Sequence, residues 1–378
     1  MSSVHFALDT RIFYRECLSL SQWYEVSLIA IHPKAERIQG VDIIPFKRFH
    51  SIRWRIILGW LIMFFKALKV NAKVYHFHDP ELIPTGLLLK CLGKKVIFDI
   101  HENIAEDLFD KPWIKQPKRI YRLFAVFESL ACKLFSIILA ENSYEKRYAQ
   151  KAKRWATVLN YCDTDFFKPY KKTVYQHQLN LFYSGIVLEN RGMLQVAEAV
   201  YLLQEEGYDA HFHCVGELYS DLNNKLEALP YWSKINSKMH FYGRLPLEQS
   251  YAMAPQMDIG LCVIWPMSNS IESLPTKWFE YMACGLPIIT SDFPFYQQMM
   301  QKSGAGICIN PKDALALKNA ILELHLDVKK TELMVENGQN AVLNNYQWNS
   351  QIPLLAKVYT EALGQNEEKF QNGLVIPI

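Results

Sequence analysis

Two glutamates with seven residues between them bracket the stretch Glu272-Ser-Leu-Pro-Thr-Lys277-Trp-Phe-Glu280-Tyr-Met-Ala-Cys-Gly285-Leu-Pro287. A loop running into a helix start presents unpaired backbone N–H groups and the positive end of the helix dipole, which suits a diphosphate. Glu280, about one turn into that helix, is placed to accept hydrogen bonds from ribose hydroxyls. Further upstream, Leu181-Phe-Tyr-Ser-Gly185-Ile-Val-Leu-Glu-Asn-Arg191-Gly192 reads as a strand, a glycine turn and a cation ahead of a helix. An arginine there can grip a phosphate bidentately. Two apolar runs in the first half end in Tyr75-His76-Phe-His78-Asp79 and Ile97-Phe-Asp99-Ile-His101-Glu102, which puts histidines at strand ends. Asp163-Thr164-Asp165 has the spelling of a D-x-D metal site, but it lies in a polar connecting stretch and reads as solvated carboxylates.

These residues need a scaffold, and the pattern supplies one. Short apolar runs alternate with longer helical stretches, as parallel strands with crossover helices do. Strands are expected at Val4–Leu8, Glu25–Ile31, Val74–Phe77, Lys95–Asp99 and Ile137–Leu139. The pattern restarts with Asn180–Ser184, Ala210–Val215, Lys238–Tyr242, Ile259–Val263, Pro287–Thr290 and Gly306–Ile309. Between the two sets, Asn160–Gln178 is polar, holds Pro169 and reads as a linker. The expectation is an α/β protein of two Rossmann-like domains, with ligands at the carboxyl ends of the strands.

With 378 residues, 50% of them hydrophobic and 21% charged, the chain has material for two full cores, which excludes bulk disorder. Its eight cysteines form no C-x-x-C pair and read as reduced, mostly buried thiols. The start of the sequence lacks the features of a signal peptide, and the longest apolar run, Ile56–Phe65, is about half of the roughly 20 residues that span a bilayer. A cytoplasmic location is expected, peripheral on the inner face of the membrane. The net charge of +3 conceals an asymmetry: residues 1–160 hold 25 Lys and Arg against 15 Asp and Glu, and the remainder 16 against 23. In the basic half, Phe46-Lys-Arg-Phe-His-Ser-Ile-Arg53-Trp-Arg55 leads into the apolar run, and Lys111-Pro-Trp-Ile-Lys115-Gln-Pro-Lys118-Arg119-Ile-Tyr-Arg122 again mixes cations with aromatics. That interleaving suits anionic lipid head groups, and the alternative is a core helix with a solvated basic rim. Without a recognition motif, the charge gives no case for nucleic acid.

The Glu272 to Pro287 stretch resembles the E-x7-E region of the retaining nucleotide-sugar glycosyltransferases, family 4 (group 1), whose architecture is GT-B, two Rossmann-like domains facing across a cleft. The resemblance runs from Asp9-Thr-Arg11 to the helix at Trp348–Leu363. It implies domains at 1–160 (acceptor) and 161–344 (donor), a helix at 345–364 packing back on the first, and a tail at 365–378. It implies further that Glu272 meets the donor sugar, that the amides of Ser273 and Leu274 hold the diphosphate, and that Glu280 binds the ribose. By the same comparison His101 contacts the sugar, Gly243 and Arg244 neighbour the nucleotide, and Arg191 and Lys277 face the phosphates. The family often carries an arginine directly after the first glycine; Ile186 stands there, which leaves Lys277 or Arg11 to supply the second charge. Arg11 and His78 are the candidates for acceptor or phosphate contacts.

No cofactor and no metal are implied. The partners would be a nucleotide-sugar donor, a glycan or lipid-linked acceptor of bacterial surface polysaccharide synthesis, and an anionic membrane surface. A sugar-nucleotide 2-epimerase and a noncatalytic scaffold are the competing readings.

Overall fold

The computed structural model describes residues 1–101, 117–172, 179–267 and 270–365. Glu102, the Lys111–Lys115 part of the second basic cluster, the end of the expected linker and nearly all of the expected tail lie outside them. The chain divides into two compact units, one of Met1–Asn160 with the described part of Trp348–Ile378, the other of Tyr161–Gln347.

The first unit holds two sheets. One is three-stranded in the order β1 (Ser27–Ile31), β3 (Val41–Phe46), β2 (Glu36–Ile38), with β2 antiparallel to β3. The other is parallel in the order β4 (Val74–Phe77), β5 (Lys95–Ile100), β6 (Ser136–Leu139), β7 (Trp155–Thr157). Helices α1 (Trp60–Val70), α2 (Ile83–Cys91) and α3 (Pro117–Leu134) connect or follow these strands. Strands β5 and β6 are almost wholly buried, the mark of central parallel strands covered on both faces.

Two sequence expectations change here. Val4–Leu8 is no strand: only Phe6 bridges to Ile31, through Ala7 N to Ile31 O at 3.0 Å and Ile31 N to His5 O at 3.1 Å. Residues Thr10–Cys17 form a π-helix, whose Tyr14 N reaches Asp9 O five residues back. Its first turn is capped by Asp9 Oδ1, which accepts from Arg11 N and Ile12 N at 2.9 and 3.0 Å. The polar connection after Asn160 is partly helical: Asp163 caps Thr164–Phe167, accepting from Asp165 N at 3.1 Å. Capping accounts for the Asp163-Thr164-Asp165 spelling.

The second unit is a six-stranded, all-parallel sheet in the order β10 (Met239–Phe241), β9 (Ala210–Val215), β8 (Leu179–Ser184), β11 (Ile259–Cys262), β12 (Ile288–Ser291), β13 (Gly306–Ile309). The first three strands proceed in one direction from β8 and the last three in the other. That is the doubly wound Rossmann order, whose reversal between β8 and β11 opens a crevice at the carboxyl ends. Helices α4 (Met193–Glu205), α5 (Leu247–Tyr251), α6 (Thr276–Cys284) and α7 (Val328–Asn345) belong to this unit. Two apolar clusters form its core, one built around β8, β9 and α4 and the other around α6.

From Trp348 the chain belongs to the first unit again. Trp348 is buried with its Nε1 donating to Ser19 Oγ at 2.8 Å, and α8 (Ile352–Leu363) sets Leu355 and Val358 against Ile97 and Ile138. None of the eight cysteines is paired, and six are buried. Along α1 and the helical residues Ile52–Gly59 that lead into it, Ile52, Trp54, Ile56, Ile57, Leu61 and Phe65 are exposed, while Met63 and Ala67 are the buried positions of α1. The helix is therefore not the core helix with a basic rim that the pattern also allowed. Among the described residues no helix is long and apolar enough to cross a membrane.

Candidate functional site

At the carboxyl edge of the second unit's sheet, three neighbouring strands give way to glycine. Gly185 ends β8, Gly216 follows β9 and Gly243 follows β10, with φ of +146°, +154° and +69°. Gly185 N donates to Val215 O at 2.9 Å and Gly216 N to Gly243 O at 2.8 Å, so the three strand ends are tied together. A Cβ at Gly216 would lie 2.0 Å from Gly185 O, which leaves room for no side chain. On the other side of the reversal, Gly192 opens α4 at φ +74°, and a Cβ there would meet Val263 at 2.9 Å. The loop from Gly185 to Gly192 thus lies between the ends of β8 and β11, at the switch point.

Two cations stand at that edge. Arg191 closes the turn Glu189–Arg191, and Lys277 sits in the first turn of α6 with its ammonium over the Tyr183 ring, 5.1 Å from the centroid. Burial lowers the Lys277 pKa below that of an ordinary lysine, and neighbouring Arg191 pushes the same way. Among the described residues neither has a carboxylate partner within salt-bridge distance. No side chain caps the start of α6. Two neighbouring cations with no carboxylate in salt-bridge distance among the described residues, beside an uncapped helix N-terminus, form an electropositive niche.

Glu280 follows one turn along α6, buried, its Oε2 accepting from Tyr251 Oη at 2.5 Å. Tyr251 in α5 is itself buried, and burial with the adjacent Glu280 raises its pKa well above normal. Glu272 is exposed on the loop before α6. Ser273 is not offered to a ligand as expected: its amide closes a turn onto Ser270 O at 3.3 Å and its hydroxyl donates to the same oxygen at 3.1 Å. Tyr296 Oη fastens this turn, donating to Ser270 O at 2.9 Å. Leu274 packs partly buried against the α6 core, and Arg244 is exposed just past Gly243.

The first unit gathers its own polar cluster at the ends of β4 and β5. His101 follows β5 with Nε2 3.2 Å from His5 Nε2, and its Nδ1 is buried without a hydrogen-bond partner among the described residues. His5 is held by Asp9 Oδ2 at 3.1 Å and lies 3.7 Å from Asp79 Oδ1.

Arg11 and His78 depart from the phosphate or acceptor contacts expected of them. Arg11 is buried and fully engaged: Nε and Nη2 grip Asp99 at 2.7 and 3.0 Å, and Nη1 donates to Asn160 Oδ1 at 2.7 Å and Val158 O at 3.0 Å. His78 is equally buried, with Nδ1 3.0 Å from Asp99 Oδ2. Burial pulls its pKa down to about 4 although Asp99 opposes the shift. Both side chains serve to compensate Asp99 at the centre of the sheet, since a buried carboxylate without partners would be costly. Lys277 is then the second cation of the niche.

Sequence reasoning did not single out Tyr251, Gly216, His5 or Tyr296. Gly216 carried a signal, a glycine directly after a buried strand. Tyr251 carried none, because nothing local tells a helical tyrosine that its hydroxyl will meet Glu280.

The two Rossmann-like units and the electropositive switch point define the class: the fold is that of the GT-B glycosyltransferases. Residues 167–341, nearly the whole second unit, match the model of the family described as glycosyl transferases group 1. Similar solved structures include sucrose-phosphate synthase from Thermosynechococcus elongatus, at TM-score 0.72 and 15% identity over 93% of this chain and 92% of that one. WaaG, a glycosyltransferase involved in lipopolysaccharide biosynthesis, matches at TM-score 0.71 and 14% identity over 94% and 97%. HepE from Anabaena, solved in complex with UDP-glucose, matches at TM-score 0.63 and 13% identity over 85% and 86%. No curated protein sequence matches.

Proposed function

We propose that this protein is a glycosyltransferase that moves a sugar from a nucleotide-diphosphate donor to a glycan or lipid-linked acceptor with retention at the anomeric carbon, in the assembly of a bacterial surface polysaccharide. The observation that carries the donor class is the pair Arg191 and Lys277 at the Rossmann switch point, without a carboxylate in salt-bridge distance among the described residues and beside the uncapped start of α6. A diphosphate supplies the charge this niche lacks. Anabaena HepE, similar in fold, was solved with UDP and with UDP-glucose, which supports a nucleotide-sugar donor here.

In this reading Glu280, oriented by Tyr251, accepts the ribose hydroxyls, and Gly243 and Arg244 border the nucleotide. Leu274 lies beside the diphosphate and Glu272 meets the donor sugar. Arg191, Lys277 and the α6 amides stabilise the negative charge that grows on the departing diphosphate, so the chain's own groups do the work of an activating cation. His101 is assigned to the transferred sugar. Retention follows if the departing diphosphate itself guides attack on the face it leaves.

The exposed apolar residues around α1, with Arg53 and Lys69 exposed beside them, support a peripheral position on an anionic cytoplasmic membrane face. A screen of nucleotide sugars by donor hydrolysis and product analysis tests the central reading. Hydrolysis with retained anomeric configuration is expected for one donor. An epimerised nucleotide sugar formed without acceptor would overturn the transferase reading in favour of a 2-epimerase.

A further inference from the structure

Away from the residues of the niche, strands β9 and β10 carry three histidines on one face. His211 and His213 are two apart on β9, so they project to the same side, and His240 on β10 is the direct partner of His213 in the parallel register. His211 Nδ1 lies 3.0 Å from His240 Nε2, the His213 and His240 rings stack at 4.7 Å, and one ring nitrogen from each of the three falls within a mutual 4.8 Å. All three are half-buried, close enough to solvent for an ion to enter.

We infer that His211, His213 and His240 form a binding site for a divalent transition-metal ion of the zinc type. Zinc held by imidazole at about 2.0–2.1 Å in a tetrahedron needs nitrogens about 3.3 Å apart, so the His211–His240 pair requires adjustment of only a few tenths of an ångström. Imidazole is the ligand class shared by zinc, copper and nickel, and three histidines leave a fourth position open.

Two of the three histidines already have a polar partner on one ring nitrogen, and metal-bound histidines usually hold such a partner on the nitrogen that the metal leaves free. Asp209 Oδ1 lies 3.3 Å from His211 Nε2, and Tyr242 Oη lies 2.8 Å from His213 Nδ1. Lys238 pairs with Asp209 and lies 3.3 Å from His211 Nε2, the nitrogen opposite the one that faces His240. Strand β10 is an edge strand of three residues, and a metal joining it to β9 would brace the strand that leads into Gly243 and Arg244.

The test uses the full chain, stripped with a chelator and titrated with zinc chloride by calorimetry. One ion per chain is expected, with at least tenfold weaker binding in His240→Gln and a smaller loss in Asp209→Asn, which keeps all three imidazoles. Zinc should raise the melting temperature of the wild type and not of His240→Gln. The cobalt-substituted protein should give a tetrahedral visible spectrum without a thiolate charge-transfer band, which distinguishes this cluster from the exposed Cys91. Each variant is first compared with the wild type in chelator, and His211→Gln replaces any that melts early. Equal zinc affinity in wild type and variants, or a thiolate band with cobalt, would overturn the assignment.

Discussion

The ammonium of Lys277 folds over Gly185: a methyl group built on that glycine would come 2.6 Å from Nζ. The glycine at the end of β8 is thus what allows the lysine to reach the switch point, and the two residues act as one device. Lys277→Ala should weaken binding of the donor's nucleoside diphosphate about tenfold or more, as loss of a charge-assisted contact does. Gly185→Ala should weaken it in the same direction by displacing the lysine, and the double variant should be no worse than the weaker single. Calorimetric affinities for the four proteins form the cycle; fully additive losses would show that Gly185 acts separately.

Glu280 and His101 should separate binding from turnover. Glu280→Ala is expected to weaken nucleotide affinity, because the carboxylate fixed by Tyr251 is lost. His101→Ala should leave that affinity near wild type and lower turnover. Steady-state kinetics with calorimetry read both, and unchanged nucleotide affinity in Glu280→Ala would remove the ribose assignment.

Much of this arrangement was legible in the sequence. The strands that bear the niche read correctly to within a residue or two, because buried parallel strands are short apolar runs bounded by glycine and proline. Strands β2 and β3 escaped because Glu36-Arg-Ile alternates weakly and Pro45 interrupts Val41–Phe46. Helix α7 leaves only a faint stripe in the sequence, because its buried positions, Val335, Gly338, Ala341 and Val342, include two small residues. At the site, glutamates and glycines are visible because spacing reveals them. The engagement of Arg11 with Asp99, 88 residues away, is a tertiary fact that no local pattern encodes.

Two glycines with positive φ should respond very differently to alanine. Gly216→Ala places a Cβ 2.0 Å from Gly185 O and should destabilise the protein by at least about 2 kcal/mol. Gly207 has φ +86° and nothing within 4 Å, so Gly207→Ala should cost only the backbone strain, about 1 kcal/mol. Urea denaturation measures both, and similar losses would contradict the close approach of the strand ends.

His78 should make stability depend on pH. It is neutral in the folded chain down to about pH 4, whereas the unfolded chain takes up its proton below about 6.5, so its contribution is complete above 6.5 and declines as pH falls toward 4. Over that window the wild type should lose roughly 3 kcal/mol relative to His78→Asn. Glu16, pushed well above the carboxylate range by burial and by Asp99, titrates in the opposite sense and is present in both proteins. A stability difference that stays flat from pH 4 to 6.5 would mean that His78 is charged in the folded state.

The exposed apolar residues around α1 should sense lipid. The chain is expected to co-sediment with vesicles containing anionic lipid and less with neutral ones. Ile57→Asp and Phe65→Asp should each cut binding about tenfold, since one buried apolar side chain contributes about 1.5–3 kcal/mol. Indifference of both variants, or of the wild type to lipid charge, would leave the basic first half without this role.

The return of Trp348 and α8 to the first unit has a consequence for the order in which the protein matures. Residues Tyr161–Gln347 form a continuous segment that holds every strand of its sheet, so its core closes without the chain on either side of it. The first unit is synthesised earlier yet finishes later: Ile97, Ile138 and Val158 await Leu355 and Val358, and Ser19 awaits the indole of Trp348. Until those last residues emerge, the sheet of β4 to β7 lacks part of its cover, and a chaperone that shields apolar surface would find its target in the part of the chain made first.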